Sequence, residues 1–285
     1  MKYLYFPGCS LKSSGQLYED SLLAVCKTLG IEIQELDDWN CCGATNYMSI
    51  NDRFAISISA RNLALAEKQG GGDLVAPCAA CYMGLLKTQN YLDNDAELRD
   101  KVVSRLSSEG LTANKNIKVR HPLDVFINDV GLDTIRKAVK DQLGNVKAAC
   151  YYGCQLIRPF STFDNPHDPQ TMEKICRAIG AEPIDWPIKT RCCSGSMTST
   201  LTDIGLGMNF ELLKEAKLRG ANVILTACPL CQFNLECFQG KISRKFHQDV
   251  KIPVMYFTQL MGIAFGISHK ELGLHKMLSP ELTLV

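Results

Sequence analysis

WNCCGATNYM, residues 39–48, sets Cys41 and Cys42 side by side with Gly43 behind them, and KTRCCSGSM, residues 189–197, repeats the pairing at Cys192 and Cys193. Adjacent residues of an extended chain point to opposite sides. Each pair therefore suits two metals, or one bridging and one terminal position, better than two corners of one small site. Working outward, Cys9 precedes the first pair and a CxxC, Cys78 and Cys81, follows it; Cys154, Cys228 and Cys231 stand in the same relation to the second pair. Most of these correspondences share an offset of about 150 residues. Residues without chemistry match too: VCKTLG (25–30) answers ICRAIG (175–180), Gly70 answers Gly220, and IKVRHPLDVF answers IPVMYFTQLM. The chain is one module written twice, and that repetition governs the fold.

Each copy has a regular order. KYLYF and VKAACYY are β-prone runs that break at Gly8-Cys9 and Gly153-Cys154. In the first copy Leu17, Leu22, Val25, Cys26 and Leu29 then recur at helical spacing. IEIQEL and EPIDW lead to the double cysteines, long helices are predicted over 51–69 and 203–219 and end near Gly70 and Gly220, and DLVAP and NVILTA lead to the CxxC pairs. Strand, cysteine and helix in repetition predict an α/β fold of two tandem homologous modules, residues 1–145 and 146–285. Each is a small parallel sheet flanked by helices, with its cysteine loops at the carboxyl ends of the strands. Residues 92–116 read as a polar surface helix and loop, and residues 132–146 as a helix and linker between the copies.

Composition narrows the function. Fourteen cysteines in 285 residues, in a reducing compartment, indicate metal or redox chemistry rather than structural disulfides. A net charge of +1 offers no basic field for nucleic acid. The opening MKYLYFPGCS has no charged and apolar leader pattern, so a cytoplasmic protein is expected. IPVMYFTQLMGIAFGI is too short and too interrupted for a membrane span; it is read as a subunit-docking surface in preference to a core helix. Five thiols per copy exceed the four that a tetrahedral zinc or a cubane [4Fe-4S] cluster takes. A multi-iron cluster of another shape accommodates them, and the glycine behind the first pair lets backbone approach an inorganic core.

Together the two C-x31-CCG-x34-CxxC-type copies, with YFPGCSLK, DWNCCGA and PCAACY in the first half and ACYYGC, ACPLCQ and YFTQL in the second, resemble the B subunit of heterodisulfide reductase over essentially the whole chain. The resemblance implies two noncubane [4Fe-4S] clusters, one on Cys9, Cys41, Cys42, Cys78 and Cys81, the other on Cys154, Cys192, Cys193, Cys228 and Cys231. It also implies a disulfide substrate split between the clusters into two thiols, and electrons delivered by the ferredoxin-like C subunit of heterodisulfide reductase, which the flavin-containing A subunit feeds. One departure stands out: Ser194 occupies the place of the motif glycine in the second copy, with Gly195 behind it. Beyond the ligands, no catalytic side chain is expected.

Lys12 and Arg158, close after the first cysteine of each copy, are the candidate substrate-binding cations, with solvated surface charge as the alternative. Cys26, Cys150, Cys176 and Cys237 are assigned to the core as small apolar residues, and His121 to a structural role. Three other functions compete. Metal-free thiol–disulfide exchange would use each CxxC but leave the other six thiols idle. An iron–sulfur subunit passing electrons to or from a quinone in a hydroxyacid-oxidising complex would use all ten. One cluster plus a structural zinc is the third.

Overall fold

The computed structural model describes residues 1–44, 46–112, 116–280 and 282. Four strands of the first module, β1 (Lys2–Tyr5), β2 (Glu32–Glu35), β3 (Gly72–Val75) and β4 (Ile117–Arg120), pair in parallel in the order β2-β1-β3-β4. The second module repeats that order with β5 (Lys147–Tyr151), β6 (Glu182–Pro183), β7 (Val223–Thr226) and β8 (Val254–Tyr256), paired β6-β5-β7-β8. The central strands are short and apolar because helices cover both faces; every residue of β7, VILT, is buried. Since all eight strands run in parallel within their sheets, the segments that leave their carboxyl ends collect at one edge of each sheet.

The long helices follow the sequence pattern closely, at Asp52–Lys68 and Thr202–Leu218. Asn51 starts the first of them: its side chain accepts from the Phe54 amide at 3.0 Å, satisfying one of the free donors of the first turn. CxxC helices occupy Ala79–Asn94 and Pro229–Cys237. In the polar stretch a helix forms at Ala96–Ser108, with Leu98, Val102 and Leu106 on its buried face at intervals of one turn and Asp95 capping its start. Part of the loop expected at 92–116, residues 113–115, lies outside the described residues, as do residues 281 and 283–285 at the end of the second module. The inter-copy helix is Leu132–Ala138.

Three features differ from expectation. After Cys154 the chain makes a run of turns to Pro169, pinned by Asp164, whose carboxylate accepts from the Gln170 and Thr171 amides, and only then enters the Thr171–Ala178 helix; the first copy has short helical turns at Gly8–Leu11 instead. The segment read as a docking surface is interior: all eight residues of the Phe257–Ala264 helix are buried, and it packs against the Gln16–Thr28 helix of the other module. Its unbroken apolarity is that of a helix covered on all sides. Cys237, assigned to the core, is half-buried at the end of its helix, whereas Cys26, Cys150 and Cys176 are buried.

Each module completes the other. Tyr18 of the first lies flat on Tyr256 of the second, ring centroids 4.4 Å apart, and Ser21 and Thr258 share a hydrogen bond of 2.7 Å beside them. In the reverse sense Phe163, from the turns after Cys154, lies parallel to His121 at 6.1 Å, and Thr162 meets the Tyr82 hydroxyl at 2.6 Å. Among the described residues no helix is long and apolar enough to cross a membrane.

Candidate metal centre

Glycine makes the first approach possible. Gly8 (φ 69°) and Gly153 (φ 65°) turn the chain off β1 and β5 in the left-handed region, and a Cβ on Gly8 would stand 2.7 Å from the Sγ of Cys81, one on Gly153 3.1 Å from that of Cys231. The backbone carrying Cys9 and Cys154 thus closes directly onto the second cysteine of each CxxC. The double-cysteine loops are held by buried asparagines. Asn62, on the Asp52–Lys68 helix, accepts from the Asn40 amide (2.9 Å) and donates to the Asn40 carbonyl (3.0 Å). In the second module Asn209 and Asn234 both donate to the Cys193 carbonyl, at 3.2 and 3.0 Å, and Asn234 also to that of Gly195 at 2.8 Å. These three asparagines had no motif to betray them in the sequence, because their work depends on a tertiary contact with a loop.

The thiols meet in the same pattern in both halves. Cys42 Sγ lies 3.2 Å from Cys81 Sγ, and Cys193 Sγ 3.4 Å from Cys231 Sγ. Neighbouring thiols extend each set: Cys9 beside Cys41, Cys41 beside Cys42, and Cys81 beside Cys78; then Cys154 beside Cys192, Cys192 beside Cys193, and Cys231 beside Cys228. Cys78 and Cys228 are themselves neighbours across the module boundary. The ten cysteines consequently form a single file of sulfur atoms. Its inner members, Cys42, Cys78, Cys81, Cys193, Cys228 and Cys231, are buried; Cys41, Cys154 and Cys192 are partly open and Cys9 is exposed.

Electrostatics within the file are uneven. Neighbouring S–H groups hold Cys42 and Cys78 well below the ordinary thiol range, through Cys41 and Cys228 respectively, and Cys192 down to about 3 through Cys154. Others are pushed up, Cys81 by Cys42 and Cys231 by Cys193 in company with burial. A lowered thiol favours the thiolate, which is the metal-ligating form. All fourteen cysteines are free thiols. Among the described residues no group of three or more His, Cys, Asp or Glu side chains is placed to hold one metal ion; the donors are strung out along the file. The donor chemistry fits iron and sulfide.

Lys12 is held between Glu19 and Glu35, 2.7 Å from each carboxylate, beside the Glu19–Tyr5 hydrogen bond. Arg158 donates to the Thr190 carbonyl and lies close enough to Cys192 to help depress that thiol. His121 is wholly buried; its Nε2 meets the Pro77 carbonyl at 2.9 Å and its Nδ1 accepts from the Leu123 amide. It braces the turn before Cys78.

The family model of the CCG cysteine-rich domain matches residues 3–86 and again residues 148–236. This chain belongs to the CCG cysteine-rich domain family. The CCG chain is 30% identical over 276 residues to the 8-methylmenaquinol:fumarate reductase membrane anchor subunit of Wolinella succinogenes, covering 96% of this chain and 95% of that one. It is 28% identical to a protein of Archaeoglobus profundus described as like the B subunit of heterodisulfide reductase, and 27% identical to the B subunit of the ferredoxin/F(420)H(2)-dependent CoB-CoM heterodisulfide reductase of Methanosarcina acetivorans, in both cases over 96% of this chain and 93% of the relative. A solved structure of a hypothetical protein from Helicobacter pylori shares the fold, with a TM-score of 0.76 at 17% identity; the match covers 100% of this CCG chain and 53% of that one.

Proposed function

We propose that this CCG protein is the disulfide-reducing subunit of a heterodisulfide reductase-type complex. It would hold one noncubane [4Fe-4S] cluster on Cys9, Cys41, Cys42, Cys78 and Cys81 and a second on Cys154, Cys192, Cys193, Cys228 and Cys231. The observation that carries the reading is the contact of Cys78 with Cys228, which joins two five-thiol sets into one file instead of leaving two remote sites. Splitting a disulfide takes two electrons and two protons, RS–SR′ + 2e⁻ + 2H⁺ → RSH + R′SH, and when bound the two clusters supply the electrons singly. The chain's own residues set the stage. Gly8 and Gly153 let the backbone close on the sulfur file, the asparagines fix the double-cysteine loops, and Arg158 sets a cation beside Cys192 where an anionic substrate group would be favoured. Lys12 was the other candidate cation; its charge is already matched by two carboxylates. Electrons would come from a ferredoxin-like subunit, itself fed by a flavin-containing one, in the cytoplasm.

A second reading, an electron-transfer subunit working with a quinone, is favoured by the 30% identity to the quinol:fumarate reductase subunit over nearly the full length of both chains. One experiment separates the two. Chain purified without oxygen should carry about eight irons with matching sulfide, and under an artificial low-potential donor it should reduce a mixed disulfide of two small anionic thiols. Iron present, with quinone reduced and every disulfide left intact, establishes the second reading. Chain that carries no iron defeats both.

A further inference from the structure

Where the two modules meet, Tyr18 and Tyr256 are stacked face to face, with ring centroids 4.4 Å apart and planes inclined by 5°. Both side chains are 0% exposed, and neither hydroxyl has a hydrogen-bond partner among the described residues. A buried O–H left unmatched is unfavourable and demands a reason. After burial and, for Tyr18, the stacked Tyr256, the groups that act most strongly on these two phenols are the thiols of Cys228 and then Cys78. Tyr256 ends β8 in register with Thr226 of β7, two residues before Cys228, so the two unused donors stand at the second module's CxxC.

The duplication supplies an internal control. The corresponding pair at the first module is His121 and Phe163, also parallel, at 6.1 Å. Phe163 has no polar atom, and both ring nitrogens of His121 are engaged with backbone at Pro77 and Leu123. Of these two stacked pairs, the Tyr18–Tyr256 pair thus has two free donors and the His121–Phe163 pair has none.

Resting on the cluster assignment above, we propose that the hydroxyls of Tyr18 and Tyr256 donate hydrogen bonds to the sulfur of the second-module cluster and give it a higher reduction potential than its twin. A donor aimed at cluster sulfur stabilises the added negative charge of the reduced state more than it stabilises the oxidised state, and such bonds are among the determinants of iron–sulfur potentials. The duplicated chain then has a built-in electron order: the first-module cluster is the stronger reductant and the second-module cluster the acceptor.

The test is a redox titration of the full chain, purified without oxygen and followed by electron paramagnetic resonance. The parent should show two separate midpoints. Tyr18→Phe and Tyr256→Phe should each move the higher midpoint to more negative values and leave the lower one in place, and the double variant should move it further. Unchanged midpoints in a double variant with the parent's iron content overturn the inference while leaving the cluster assignment intact; a parent without iron overturns the assignment itself. Thermal unfolding of the cluster-free chains adds an independent arm. Because the hydroxyls are unpartnered there, both Phe variants should be as stable as the parent or more so, and a lower melting temperature would show that the protein already satisfies the donors and would overturn the inference.

Discussion

Ser194 has its backbone at φ 72°, in the same left-handed conformation that its counterpart Gly43 adopts at φ 74°. The missing motif glycine therefore leaves the backbone turn at this position unchanged. Its side chain is put to use, sharing a hydrogen bond with Thr198 and accepting from Asn209. A non-glycine residue in this region costs roughly 1–2 kcal/mol, and the hydroxyl's bonds return about 1. Ser194→Gly should accordingly change stability by less than ~1 kcal/mol in denaturant titration. The reverse exchange should not be neutral: a Cβ on Gly43 would meet the Ile58 Cδ1 at 2.9 Å and the Ala55 carbonyl at 3.1 Å. Gly43→Ser should cost roughly 2 kcal/mol or more and lower the iron content of the first module.

Cysteines in and out of the file should respond differently to the same substitution. Cys42→Ala removes a proposed ligand and should cut bound iron to about half, the share of one of two clusters. Cys176→Ala, buried with its Sγ 3.7 Å from that of Cys150, should keep full iron and lose about 1 kcal/mol of stability to the small cavity. Iron analysis beside thermal melts distinguishes the two patterns; equal iron in both variants would refute the ligand assignment.

Asn62 is the third test. Asn62→Ala leaves the half-buried Asn40 amide without its acceptor and frees the loop that carries Cys41 and Cys42. A loss of about 1–3 kcal/mol is expected, together with faster release of iron to a chelator. Release at the parent's rate would show that the loop is held by something else.

The pH response should carry the mark of His121. Burial lowers its pKa from 6.5 to about 4. Between those values the unfolded chain binds the proton and the folded one does not, so stability rises with pH across this window. The contribution is complete above about pH 6.5 and fades as pH falls toward 4, by about 3 kcal/mol in all. Denaturant titrations of the cluster-free chain between pH 4 and 7 should show that slope, and His121→Gln should flatten it. A variant slope equal to the parent's would assign the effect to other groups.

Leu260 decides the fate of the apolar segment. It is 0% exposed in the Phe257–Ala264 helix, against the Gln16–Thr28 helix, so Leu260→Ala should destabilise the isolated chain by about 2–5 kcal/mol. A docking residue would have left the isolated chain untouched. The discrepancy has a plain cause. Hydropathy distinguishes apolar from polar, but an apolar face awaiting a partner and one covered by the other half of the same chain look identical in sequence. What was legible came from repetition and spacing: both sheets, the long helices and the ten cysteines follow from strand-like runs broken at glycine and cysteine at matched offsets. What was not legible depended on tertiary contacts, within a copy or between the two. The Asn62, Asn209 and Asn234 supports and the Tyr18–Tyr256 stack join residues whose separation in the chain has no periodic signature; Cys78 and Cys228 sit one repeat apart, but a matched offset does not say that the two copies meet there; and the Glu19 and Glu35 partners of Lys12 appear only once the helix and the second strand lie side by side.

The crossed aromatic seats, Tyr18 reaching forward to Tyr256 and Phe163 reaching back to His121, have the reciprocity of an isologous twofold contact. A solitary CCG unit would have to find the missing ring on an identical copy. Covalent fusion removes the demand that both seats be alike, which is how one can keep two phenols while the other settles for an imidazole and a bare benzyl group: symmetry inherited by the backbone, then broken side chain by side chain.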